Sequence, residues 1–276
     1  GQTLSGDFIF EKDANGDVRG SVTGGALIIS DSSPTPNPLI SLSGISGGFE
    51  MSSEGSYGAL QVGGSTFTVP GVSLSGGTVT VQMNTVDEEK SGDFNLGSGV
   101  ETLTFGAGPY LRVDVEGASL ALDGLTTNGL AAELSGDFAF EQSGDVTKVG
   151  VSNVTASVDV NGSAGSLEQG KGAMLVTGKG VAGTLEGKLA VSVSSLEAGG
   201  TLVLRFNNTG SIVDQTLEVG GESVEITFSD TEDVFLISLL GGSLNIGDVV
   251  TIEGNVTFSS KGNYRVFAGD NMTLFV

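Results

Sequence analysis

The chain contains no histidine and no cysteine. Ser–His–Asp and Cys–His relays cannot be assembled from it, nor can zinc or iron–sulfur sites built on thiolates. Carboxylates remain. Asp7 and Glu11 return 130 residues on as Asp137 and Glu141, and two acids are the minimum set for glycoside hydrolysis. A sugar-cleaving cleft normally adds Trp or Tyr platforms, and here Trp is absent and Tyr numbers three. Recurrence of the same pair also fits a position that each copy of a unit needs rather than one active centre. The chain is therefore expected not to be an enzyme, and polysaccharide degradation is the least favoured alternative.

A second constellation is Asp13-x-Asn15-x-Asp17, where oxygen side chains alternate as in the first half of a calcium loop. The Gly that should follow Asp17 is missing, as is a Glu at the twelfth position. The counterpart later in the chain shortens to Ser143-Gly144-Asp145. An Asn-Gly hairpin turn rich in small polar residues is the competing reading. Asp13, Asn15 and Asp17 are the candidate calcium ligands, and no other cofactor is expected. The acidic clusters Asp87-Glu88-Glu89 and Asp230-Thr231-Glu232-Asp233 fall in expected loops. Asn153, Asn161, Asn207, Asn255 and Asn271 each begin an Asn-x-Ser/Thr triplet, an acceptor pattern for N-glycosylation.

Such residues must be carried by strands. Leu4-Ser5-Gly6-Asp7-Phe8-Ile9-Phe10-Glu11 recurs as Leu134-Ser135-Gly136-Asp137-Phe138-Ala139-Phe140-Glu141, and more weakly as Ile252-Glu253-Gly254-Asn255-Val256-Thr257-Phe258. Within each copy the residues alternate with period two, which is the pattern of a strand. Leu, Gly and the two Phe take one face, expected to point inward. Ser, Asp and Glu take the outward one. Leu111, Val113 and Val115 alternate likewise, as do Leu202, Leu204 and Phe206. Asn15-Gly16-Asp17, Gly63-Gly64 and Gly220-Gly221 punctuate them as hairpin signals. No stretch shows sustained 3.6-residue apolar spacing, and Thr and Val are abundant.

Similarity at a large fixed offset marks tandem modules. Gly117-Ala118-Ser119-Leu120-Ala121-Leu122 matches Gly241-Gly242-Ser243-Leu244-Asn245-Ile246, and Asn153-Val154-Thr155 matches Asn271-Met272-Thr273. Leu74 to Val79 matches Leu196 to Leu202 with one gap, and both stretches run on to an Asn, Asn84 and Asn207. The expected organisation is repeat 1 at 1–131, repeat 2 at 132–249, and the opening strands of a third repeat, or a strand-exchange segment, at 250–276. The fold class expected is all-β, with two tandem antiparallel β-sandwich-like repeats. A continuous β-solenoid is the alternative. An outer-membrane barrel would need aromatic girdles that the composition lacks.

Charge limits the partners. With 33 acidic against 11 basic residues, a formal −22, nucleic-acid binding and attraction to anionic membranes are both disfavoured. No run of about 18 apolar residues reads as a membrane helix, so membrane insertion is not expected. A chain that starts at Gly1 without Met reads as a processed product or an excised piece of something longer.

The signature Leu-Ser-Gly-Asp-Phe-x-Phe-Glu, preceded by Tyr110-Leu111-Arg112-Val113 and Ser119-Leu120-Ala121-Leu122, resembles the glycine-rich, acidic β-modules repeated in giant secreted bacterial surface proteins. The resemblance spans both copies and departs at Asp31 to Pro38, a Ser/Pro/Asn insertion. It implies an extracellular or cell-surface location and a structural role in a fibre, stalk or adhesin. Neighbouring repeats or copies of the chain itself would be its partners. Carbohydrate or surface binding is the alternative, with surface glycans as partners.

Overall fold

The computed structural model describes the chain apart from residues 1, 31–37, 70–71, 122–129, 144, 161–162, 194–195, 248 and 262–263. The insertion at Asp31 to Pro38 (Pro38 excepted), Gly144 and Asn161 thus lie outside the described residues. The described chain is all β and carries no helix, as the alternation requires.

Fourteen strands form one large antiparallel sheet, wound almost entirely as a meander. It opens with β1 (Gln2–Lys12), β2 (Val18–Ser30), β3 (Pro38–Ser52), β4 (Gly55–Val69) and β5 (Val72–Asn84). After β5 a hairpin, β6 (Lys90–Asn95) and β7 (Val100–Phe105), leaves the sheet, and β8 (Tyr110–Ala121) returns beside β5. The meander resumes with β9 (Leu130–Ser143), β10 (Val146–Val160), β11 (Ser163–Thr177), β12 (Gly180–Val193) and β13 (Leu196–Asn207). A second hairpin, β14 (Val213–Val219) and β15 (Glu222–Phe228), leaves there, and β16 (Val234–Ile246) returns beside β13. Strands β17 (Val250–Lys261) and β18 (Tyr264–Phe275) complete the order. Neighbour-to-neighbour antiparallel pairing is not the stacking of coils that a solenoid would use.

Compactness divides the chain into Gly1–Leu120 with Ala139–Thr147, and Ala121–Phe138 with Lys148–Val276. In the first unit the β6–β7 hairpin lies on the sheet and supplies a second layer. Phe94, Leu96 and the fully buried Phe105 pack with Ala59, flanked by Tyr57 and Tyr110. The Tyr57, Phe94 and Phe105 rings meet edge-on at 5.5–6.2 Å, a geometry that adds about 0.5–1.5 kcal/mol per pair to simple burial. In the second unit β14 and β15 turn Val213, Leu217 and Val219 together with Val224, Ile226 and Phe228 inward. Small sheet residues such as Gly150, Ala173 and Ala182 receive them. Each unit is thus two-layered, but its second layer is one hairpin rather than a full sheet.

Register shows which face that layer covers. Residues paired across an antiparallel ladder point to the same side. Glu11, Arg19, Glu50, Tyr57 and Asn84 form one such row, and Tyr57 touches the hairpin. The next row, Phe10, Gly20, Phe49, Gly58 and Met83, lies on the other face. The signature phenylalanines, expected inward, therefore occupy the open face: Phe8, Phe10, Phe140 and Phe258 are all exposed. The face expected outward carries Ala139, 2 % exposed, and a largely buried Glu141. Where the hairpin rests, that face offers the small residue Ala59.

The signature glycine has a backbone role. Gly6, Gly136 and Gly254 hold φ of 147°, 152° and 146°, and pairing slips beside Gly6 and Gly254. The slips at Gly6 and Gly254 are β-bulges, which bend a strand and need a residue without Cβ, and Gly136 shares their backbone angle. Opposite each stands a left-handed residue: Gly24 in the first copy, Asn153 in the second, Asn271 in the third.

Candidate functional site

The devices that recur most faithfully are polar and hold the hairpins in place. Asn84 ends β5 and is fully buried. Its amide donates to the carbonyls of Glu88 and Gly106 at 2.8 Å, and its Oδ1 accepts from Val86 N–H at 2.9 Å. One side chain thus ties together the segments leading into and out of the β6–β7 hairpin. Asn207, at the end of β13, holds only the segment leading into the β14–β15 hairpin. It donates to Ser211 O and accepts from the Thr209 N–H at 3.0 Å and the Thr209 hydroxyl at 2.8 Å. A second matched pair is the turn before each following strand. Ser52 Oγ donates to Gly55 O and accepts from Glu54 N–H, while Thr177 Oγ1 donates to Gly180 O and accepts from Lys179 N–H. Gly55 and Gly180 both take positive φ, 144° and 152°.

The recurring carboxylates do not behave as a matched pair. Asp7 and Glu11 are exposed on β1. Asp137 accepts from the Asn153 amide at 2.7 Å. Glu141 joins Arg112 at 3.3 Å, and Arg112 also grips Asp114 through two 2.7 Å bonds. Burial works against the Arg112 charge, but the hydrogen bonds and fields of Asp114 and Glu141 outweigh it and hold the guanidinium pKa above its usual value. The cluster's polar atoms are spent on one another. Beside it, burial and the Glu141 charge push the Tyr110 phenol up to about 12. Tyr57 reaches about 12 through burial and its 2.6 Å bond to Glu50.

The candidate calcium ligands sit together in the β1–β2 turn. Asp13 Oδ1 accepts from the N–H groups of Asn15 and Asp17 at 2.8 and 2.9 Å, and Oδ2 accepts from the Asn15 amide at 3.4 Å. Gly16, at φ 96°, lets the chain reverse. The Asp13 oxygens are thereby engaged in closing the turn, the arrangement expected of an Asx-type hairpin. In the turn before β16, Asp230 accepts from Glu232 N–H at 3.1 Å, and Glu88 lies 3.9 Å from Lys90. Among the described residues, no three His, Cys, Asp or Glu side chains converge as a metal site would require. Of the glycosylation triplets, Asn207 is 1 % exposed and Asn153 is exposed.

The sequence paired Asn84 with Asn207 but did not show that each latches a hairpin. It also passed over Gln169 and Lys188, whose signal lies in what the first copy carries at the same places. Comparison with protein-family models and with curated proteins gives no match.

Proposed function

We propose that the chain is a non-enzymatic structural repeat module of a secreted, cell-surface bacterial fibre, stalk or adhesin. Its repeats span 1–131 and 132–249, and 250–276 opens a third. The observation that carries this reading is that the precise backbone devices recur while reactive groups do not. The positive-φ glycine at Gly6, Gly136 and Gly254 and the buried asparagine at Asn84 and Asn207 are kept. The carboxylates between them change partners. A catalyst keeps its chemistry and tolerates drift in its scaffold, and here the scaffold is what is kept.

The mechanism is mechanical. Long antiparallel ladders of 11 to 15 residues in β1–β4 and β9–β12 place many backbone hydrogen bonds side by side, so a pull along the strands loads them together. The acidic surface keeps chains apart until specific faces meet. Its partners would be neighbouring repeats or further copies of the chain, met along the exposed strand β18. Electron microscopy of the native protein should show extended filaments or stalks. Compact, isolated particles under every condition tried would overturn the proposal.

A further inference from the structure

Among the described residues, three other than glycine hold a left-handed backbone: Asn153, Gln169 and Asn271, at φ of 52–53°. Two of them, Asn153 and Gln169, line the same open depression of about 350 Å³ in the second unit. Left-handed backbone is strained for a residue with a Cβ, and such strain concentrates at functional sites. In the first unit the matching positions are Gly24 and Gly44, at φ of 61° and 63°, where the conformation is free of strain. Repeat 2 has replaced two unstrained glycines by two amides that reach into one hollow.

The rest of the hollow has changed in the same direction. Counting back and forward from the matched turns at Gly55 and Gly180, Ser46 corresponds to Lys171, Gln61 to Glu186 and Gly63 to Lys188. Lys171 and Glu186 are ion-paired at 3.2 Å on the floor, and Lys188 stands opposite Thr201 in register. The hairpin turn has moved as well. In the first unit a Cβ on Gly97 would come within 3.1 Å of Ser46 Oγ, so that turn rests on β3. In the second, a Cβ on Gly220 would meet Asp137 and Ser152 at 2.5 and 2.7 Å. That turn rests on β9 and β10, leaving the Lys171 position open beside Glu222.

We propose that this depression binds a neutral saccharide unit, and that the second repeat alone carries the site. Its lining carries two ammonium groups and two carboxylates, and the further carboxylate beside it, Asp137, is held by the Asn153 amide, so the lining itself does not select a charged ligand. The Gln169 amide and the Thr201 hydroxyl both donate and accept, and Asn153, whose Nδ2 already donates to Asp137, offers its Oδ1 as an acceptor, which suits vicinal hydroxyls. Among the described residues no aromatic ring lines it, so recognition rests on hydrogen bonds and the affinity for a single sugar is weak, in the millimolar range. The proposal does not depend on the fibre reading, since a fibre subunit and a free monomer would bind alike.

The test is titration of the full isotope-labelled chain with cellobiose, maltose and N,N′-diacetylchitobiose, followed by amide shifts in NMR spectra. Galacturonate and glucosamine serve as charged controls. At least one neutral sugar should move the resonances of Asn153, Gln169 and Lys188 and leave those of Gly24, Gly44 and Gly63 in place. The double variant Gln169→Gly, Lys188→Gly restores the residues of repeat 1. It should weaken binding by about 10-fold or more with the chain still folded: glycine suits the left-handed position at 169, and at 188, inside β12, it lowers the melting temperature by only a few degrees. Silence with all three neutral sugars, equal binding by the variant, or response to the charged sugars alone would overturn the proposal.

Discussion

At Gly136 the backbone adopts φ 152°, and a Cβ there would lie 3.0 Å from Ser152 O and from the Cα and Cγ2 of Val154. Conformation and space both exclude a side chain. Gly136→Val should destabilise the chain by about 2–3 kcal/mol in denaturant melts. Gly178→Ala should stay near neutral, because its Cβ would meet nothing within 4 Å. The latches are a separate case, where the loss is polar. Asn207→Ala leaves the N–H of Thr209, a residue 5 % exposed, without its acceptor and takes the amide donor from Ser211 O, at a cost of about 1–3 kcal/mol. Asn84→Ala should cost a similar amount, and a change within a few tenths in either variant would remove the latch from the account. In the β1–β2 turn the Asp13 carboxylate already serves two N–H groups. Chelation by EDTA should therefore leave the melting temperature unchanged, and a drop of several degrees would restore calcium to this turn.

Between residue and molecule stands the hairpin laid on its sheet. Tyr110, on β8, packs against the Phe94–Phe105 cluster that the hairpin brings down. Its phenol and that of Tyr57 titrate near 12 rather than 10.0, each raised first by burial. The folded state thus favours the neutral phenol. Stability from both rings is whole below pH about 10 and falls as pH climbs from there toward 12. Thermal melts across that range should show the loss, and Tyr110→Phe should shrink it while leaving neutral-pH stability nearly intact. A melting temperature flat to pH 12 would contradict the burial of these rings. This second layer is also where the sequence was least legible. Period-two alternation announced the strands, and Asn15-Gly16 and Gly220-Gly221 mark hairpin turns, whereas Gly63-Gly64, which reads the same way, lies inside β4. Nothing local distinguishes β6–β7 or β14–β15 from any other hairpin, because folding back over the sheet is decided by what lies beneath. Ala59, Ala173 and Ala182 make room there, whereas Phe10, Phe49 and Met83 do not. An aromatic face was therefore read as interior when it is open. The saccharide depression was illegible for a related reason: Gln169 falls beside a pairing slip between Glu168 and Lys171, where register from alternation alone is lost.

For the whole molecule, the proposed meeting of copies depends on two opposing surface properties. Net charge of −22 repels one chain from the next. Set against it are the open face, with Phe8, Phe10, Met51 and Met83, and the edge strand β18, every residue of which is exposed, including Tyr264, Phe267 and Leu274. An apolar edge strand with unpaired backbone groups is a template for another strand. Repulsion between exposed carboxylates is screened by salt over about 10 Å at 0.1 M ionic strength, while burial of apolar surface is not. Association should therefore strengthen as sodium chloride is raised, the reverse of what charge-pair docking would give. Sedimentation velocity should show monomer at low ionic strength and growing oligomers at high. Phe267→Lys places a charge in the middle of β18, at a side chain already 75 % exposed. It should suppress assembly with little change in melting temperature, since most of the residue already faces solvent. If instead assembly weakens with salt, contact runs through complementary charges and the edge strand is not the adhesive element. If Phe267→Lys assembles like the parent chain, the meeting surface lies on the open face around Phe49 and Met83, and Met83→Lys becomes the variant that must abolish it.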